Sequence, residues 1–196
     1  IDWRGKLLPI AAEFAGTSIK DARAKIVEKL AAKGLLVKTD ETYKNVVKKC
    51  YKCSSMIEPQ VKDQWFVKMA PLSAMAVTAV NKGDVRFIPE YEEKTFRHWM
   101  EDTHDWNISR QIVWGIPIPA WHKDGEWKAS VESPGDGWAQ DIDTFDTWFS
   151  SGQWPLLTTG YPNGKDAAYY PTDLMETGRD ILFFWVARMI IFGLYL

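Results

Sequence analysis

The sequence predicts a mixed fold, α/β toward its C-terminal end and irregular α+β before it. Helical and strand-like apolar spacings alternate along the 196 residues without an internal repeat. Thirteen Gly and 10 Pro punctuate those segments. A strand-like stretch at residues 173–176 runs through Gly178 into an apolar helical run from Asp180 onward, the pattern of a βα turn.

Each element follows from local signals. Ser18 caps a first helix, with Asp21 three residues on as a capping-box variant. Ala22, Ile26 and Leu30 repeat at four-residue spacing, Val27 and Ala31 widen the stripe, and Gly34 stops it. Leu35-Leu36-Val37 reads as a short strand, and Tyr43 and Val46-Val47 are further strand candidates. Cys50-Tyr51-Lys52-Cys53 reads as a knuckle-like turn. A second helix opens at Pro71 and ends at Gly83. Residues 85–88 are strand-like. Residues 92–100 form a third helix with Phe96, Trp99 and Met100 on one side. Residues 112–118 are strand-like again. Asp124-Gly125 between Trp121-His122-Lys123 and Glu126-Trp127-Lys128 is a hairpin signal. Residues 143–151 suggest a short helix closed by Gly152, and Tyr161-Pro162-Asn163-Gly164 a turn. The final run from Ile181 is shorter than the roughly 18 apolar residues of a membrane span and carries Arg188, so it reads as a buried helix.

Composition narrows the function classes. With 46% hydrophobic and 26% charged residues, the chain is neither disordered, collagen-like nor a charge-rich coiled coil. A net charge of −2 argues against a strongly basic nucleic-acid binder. Eleven Trp, 7 Tyr and 9 Phe point to a dense core or an apolar cleft. Two cysteines, Cys50 and Cys53, make no disulfide framework; their spacing suits a metal or redox pair in a reducing cytosol. The start at Ile1 lacks a signal-peptide pattern and an initiator Met, which suggests an internal piece of a cytoplasmic protein.

Four places could carry chemistry. At Gly178–Asp180 a helix start would offer backbone N–H groups and a carboxylate for ribose hydroxyls, with Ile181 and Trp185 forming an apolar wall one turn on; helix capping plus core packing is the alternative. The segment Asp146-Thr147-Trp148-Phe149-Ser150-Ser151-Gly152 makes Trp148 either a pocket lid or a core residue. Cys50 and Cys53 lack a second Cys pair, and His98, His104 and His122 have no ligand-like spacing, so zinc is not expected. Arg110 could pair with a phosphate or a structural carboxylate. A basic run, Lys44, Lys48, Lys49 and Lys52 beside Tyr43 and Tyr51, leaves open a non-catalytic RNA-binding module.

Several strings resemble the valyl-tRNA synthetase family. They are Thr177-Gly178-Arg179-Asp180-Ile181-Leu182-Phe183-Phe184-Trp185-Val186-Ala187-Arg188-Met189, Asp146 to Pro155, Asp105 to Gln111 with Trp114-Gly115 and Ile118 to Trp121, Ile57-Glu58-Pro59 with Gln64 to Met69, and Ala22 to Val27. They occur in family order over nearly the whole chain.

The resemblance implies part of a class I aminoacyl-tRNA synthetase. Residues 1–45 would be the trailing edge of the editing insertion and a linker helix, and 46–135 the connecting region. Residues 136–196 would be the second half of a Rossmann-type catalytic domain. It implies valine, ATP with Mg2+ and tRNA(Val) as partners and a monomeric parent enzyme. Gly178 and Asp180 would contact adenosine, Trp148, Ile181 and Trp185 would line the valine pocket, and Arg110 could touch tRNA. An apolar pocket rejects threonine poorly, a limit for which valine-charging enzymes are the standing example, hence an editing domain in such enzymes. The family's HIGH-type and KMSKS-type signatures do not occur in this sequence. His122-Lys123-Asp124-Gly125-Glu126-Trp127 replaces a second Cys pair, and Arg179 stands where relatives often carry an uncharged or aromatic residue.

Overall fold

A computed structural model describes residues 1–51 and 53–196; Lys52, one member of the basic run, lies outside the described residues. The chain divides into two compact units, Ile1–Asp63 and Gln64–Leu196.

In the first unit a bridge joins Lys6 and Ser18, and a 3-10 segment at Pro9–Phe14 lies between them. Helix α1, Ile19–Ala32, begins as its sequence dictates. The Ser18 hydroxyl accepts from the Asp21 N–H at 3.1 Å and donates to the Asp21 carboxylate at 2.8 Å. Gly34 follows α1 with φ 69°, a left-handed conformation that costs glycine little. Of the apolar stripe only Ala22 is buried; Ile26, Val27 and Leu30 stay partly exposed.

The strand expected at Leu35-Leu36-Val37 does not form, nor do those at Tyr43 and Val46-Val47. None has a ladder partner, and a lone extended segment leaves its backbone groups to water. The knuckle-like turn expected over 50–53 includes Lys52 and so lies partly outside the described residues. A bridge joins Lys49 and Met56, the Cys50 N–H donates to the Ser55 carbonyl, and the Ser54 N–H donates to the Cys50 carbonyl, each at 2.8 Å.

The second unit runs β1 (Phe66–Val67), α2 (Met69–Lys82), α3 (Tyr91–Glu101), β2 (Trp106–Asn107), β3 (Ser109–Arg110), β4 (Ala120–Lys123), β5 (Glu126–Ala129), β6 (Ala139–Gln140), β7 (Thr144–Phe145), α4 (Thr147–Ser151) and α5 (Trp154–Thr159). A 3-10 turn (Arg179–Ile181), a π-helical turn (Leu182–Val186) and α6 (Ala187–Tyr195) end it. Its ladders pair β1 with β2, β3 with β7, and β4 with both β5 and β6, all antiparallel. Helices and small sheets thus both occur, as the mixed reading requires.

Helix α2 starts two residues before Pro71, because the Asp105 carboxylate accepts the Met69 N–H at 3.0 Å and so supplies a cap from outside the segment. Gly83 closes it with φ 81°. The hairpin forms as expected, Asp124 and Gly125 both holding positive φ between β4 and β5.

Three expected strands are absent. Residues 85–88 remain irregular; Val85 and Phe87 pack onto the core instead. Residues 112–117 lie on the surface with Val113 and Trp114 exposed, while Ile118 is buried; Pro117, which has no N–H to donate, bridges to Thr144. Residues 173–176 do not form the strand expected to feed Gly178, and Leu174 is exposed. The helix expected over 143–151 begins only at Thr147, since Asp146 caps it and Thr144–Phe145 pair with β3.

The core gathers Met69, Ala76 and Val80 of α2, Phe96 and Met100 of α3, Trp106 and Ile108, and Ala187 and Ile191 of α6. Trp99 packs against its edge and stacks on Phe183 with centroids 5.0 Å apart.

Candidate functional site

The site grows from one buried carboxylate. Asp146 stands between β7 and α4, and its N–H donates to the Ile108 carbonyl at 2.7 Å. Its side chain is 4% exposed as a residue and serves three groups. Oδ1 accepts from the Trp148 N–H at 3.3 Å, which caps α4. Oδ2 accepts from the Trp106 indole N–H at 2.9 Å and pairs with Arg110 Nη2 at 3.0 Å. A buried carboxylate is tolerated only with such partners.

Arg188 of α6 lies beside this group, only 7% exposed. Its guanidinium carbon sits 3.9 Å from the centre of the Trp106 ring and 5.6 Å from that of Phe184. Nη1 donates to the Phe184 carbonyl at 2.9 Å. Among the described residues Nε is buried without a hydrogen-bond acceptor. Burial pulls the Arg188 pKa down to about 10, opposed by the Asp146 charge and assisted by Arg110. The group therefore stays cationic at neutral pH.

Between β2, α4 and the π-helical turn lies a cavity of about 410 Å³. Trp106, Trp148, Phe184, Arg110, Asp146 and Arg188 form its aromatic and ionic walls, and Met69, Trp99 and residues 103–105 and 107 complete it. Trp148 and Phe184, both in its lining, stack with centroids 5.9 Å apart.

The expected site residues fall as follows. Trp148 and Arg110 line the cavity. Trp185 lies against the same helix as Trp148, its indole N–H donating to the Ser151 carbonyl at 3.0 Å. Ile181 is half-buried at the end of the 3-10 turn. Gly178 and Asp180 are exposed, and the Asp180 carboxylate folds back over Gly178, where a Cβ would lie 2.5 Å from Oδ1. Ile181, Trp185, Gly178 and Asp180 do not line the cavity that holds Trp148. Arg179 pairs with Glu92 of α3 at 2.8 Å. In the first unit Cys50 is half-buried and Cys53 exposed; hydrogen bonds from Ser55, then from Cys50, lower the Cys53 thiol pKa. Among the described residues no group of three or more His, Cys, Asp or Glu side chains could hold a metal ion.

Sequence reasoning missed the roles of Arg188, Trp106 and Phe184. A signal was present: one cation inside an otherwise apolar helical run must find partners when buried.

Close approach of α6 to α4 depends on Gly152, where a Cβ would lie 2.7 Å from the Phe192 ring. Gly152→Ala is expected to lower stability by about 1–3 kcal/mol through overpacking, read as a lower denaturant midpoint with an unchanged slope.

A family model described as tRNA synthetases class I (I, L, M and V) matches residues 15–133 and 124–196. Similar curated proteins are named Valine--tRNA ligase. That of Chlorobaculum tepidum is 47% identical over 195 residues, covering 93% of this chain and 22% of the relative. That of Thermotoga maritima is 44% identical over 192 residues, covering 92% and 22%. That of Streptomyces avermitilis is 43% identical over 196 residues, covering 96% and 22%. The chain thus spans about a fifth of the length of these relatives.

Proposed function

Because this chain belongs to the class I tRNA synthetases of the isoleucine, leucine, methionine and valine group, we propose that it is part of a valine–tRNA ligase. The observation that carries the reading is the match to valine-charging relatives at 43–47% identity across more than nine-tenths of the chain. Those relatives are named as ligases, which favours an enzyme over a non-catalytic RNA-binding module.

In this reading the whole protein joins valine to the AMP moiety of ATP with release of pyrophosphate, then esterifies tRNA(Val). The resemblance assigns Trp148, Ile181 and Trp185 to the isopropyl group, although of these three only Trp148 lines the cavity of about 410 Å³. Packing, not hydrogen bonding, then selects the side chain, and each methylene counts for about 1–3 kcal/mol. The Trp185 bond to Ser151 ties the π-helical turn to the helix that carries Trp148, so two walls share one support. Gly178 and the exposed Asp180 carboxylate that folds over it meet the nucleoside, Asp180 accepting from ribose hydroxyls. Arg110 keeps a partly exposed guanidinium beside its bond to Asp146 and meets a tRNA phosphate.

Mg2+ would travel with the ATP phosphates. Among the described residues no group of three or more His, Cys, Asp or Glu side chains fits it. Residues 136–196 belong, in this reading, to the second half of a Rossmann-type domain, 46–135 to the connecting region and 1–45 to the trailing edge of the editing insertion. The parent protein is a cytoplasmic monomer.

The test is amino-acid-dependent ATP–pyrophosphate exchange by the intact protein that carries this chain. Valine is expected to drive it best; a preference for isoleucine, leucine or methionine overturns the assignment. The 196 residues alone are expected to give no exchange above background, since the HIGH-type and KMSKS-type motifs that handle phosphate charge do not occur in them. Exchange by the isolated chain would refute that.

A further inference from the structure

We propose that Arg188 is a positioning residue that sets the size limit of the aliphatic pocket through a closed circuit of contacts, an inference that rests on the valine–tRNA ligase reading. The circuit runs through five residues. The Arg188 guanidinium stacks on Trp106 at 3.9 Å. Trp106 donates to Asp146 at 2.9 Å. Asp146 holds the Trp148 N–H. Trp148 stacks on Phe184 at 5.9 Å and 28°. The Phe184 carbonyl accepts from Arg188 at 2.9 Å, which closes the loop.

The π-helical turn makes this closure possible. A π turn bonds each N–H to the carbonyl five residues back rather than four, as the Ala187 N–H does to Leu182. Arg188 Nη1 meets the carbonyl of Phe184, within that turn. Arg188 thereby fixes both the wide turn and the ring of Phe184. Phe184 is nearly half exposed, and Arg188 and Trp148 both pack on its ring. Trp148 is consequently held from two sides, by its backbone at Asp146 and by its ring at Phe184.

Such a wall reads volume. Isoleucine exceeds valine by one methylene and strikes a fixed wall; threonine matches valine in shape and does not. Only a planar fork satisfies the stack and the carbonyl together, and Lys cannot reproduce it. Arg188→Lys keeps the charge that balances Asp146, so the fold is retained. Phe184→Leu breaks the same circuit from its exposed side.

The measurement is kcat/KM for valine, isoleucine and threonine in pyrophosphate exchange by the intact protein and both variants. Discrimination of valine against isoleucine is expected to fall about tenfold in each variant, the scale of one methylene in an apolar pocket. Discrimination against threonine is expected to stay unchanged. A purely structural role would lower all three activities in step, and that result, or an unchanged valine-to-isoleucine ratio, overturns the inference alone. Loss of valine-driven exchange already in the unsubstituted protein removes the ligase reading and this inference with it.

Discussion

Asp146→Ala is expected to lower the stability of the second unit by about 3–5 kcal/mol, the cost of leaving a buried charge without its partner. Three groups lose their acceptor at once: the Trp148 N–H, the Trp106 indole N–H and the Arg110 guanidinium. Arg188 in addition loses the Asp146 charge that opposes the effect of its burial. The change should appear as a fall in thermal midpoint, measured by near-ultraviolet circular dichroism, which also reads the surrounding Trp rings. Asp146→Asn is expected to cost less, because an amide oxygen still caps α4 while the charge is gone. Equal losses in the two variants would mean that charge, not the capping oxygen, is what Asp146 contributes.

Phe96→Ala is expected to cost a similar 3–5 kcal/mol by a different route, lost transfer energy plus a cavity. The ring is 0% exposed and packs on Phe87 with centroids 4.9 Å apart. It sits in α3 within the cluster shared by α2 and α6, rigid elements that leave little room for collapse. Phe96→Leu should recover most of the loss, being closer in volume. Denaturant unfolding of the 196-residue chain decides the matter; a loss below about 1 kcal/mol for Phe96→Ala would mean that the site collapses freely.

How much of this was readable in the sequence varies with the range of the forces involved. The cap at Ser18, the stops at Gly34 and Gly83 and the hairpin at Asp124-Gly125 all arise from a residue and its near neighbours, and all appear where expected. The strands at 35–37, 85–88, 112–118 and 173–176 failed because β propensity describes a surface that a partner must supply. The start of α2 was misplaced for a related reason, its cap coming from Asp105, 36 residues away. Trp148 and Arg110, singled out by local strings, both line the cavity. The circuit through Trp106 and Arg188 was not singled out, since its two ends lie 82 positions apart and meet only after folding (188 − 106).

The π-helical turn at Leu182–Val186 has a consequence for chain length. Compared with an α-helix, such a turn accommodates one additional residue in a revolution. One residue corresponds to roughly 100° of azimuth, so side chains after Val186 are phased differently from the course set at Asp180. Uniform helical wheels drawn across 180–195 therefore misassign which positions look outward. Homologous chains that lack the widened turn should carry a one-residue gap there, and in them the basic position of α6 would face elsewhere.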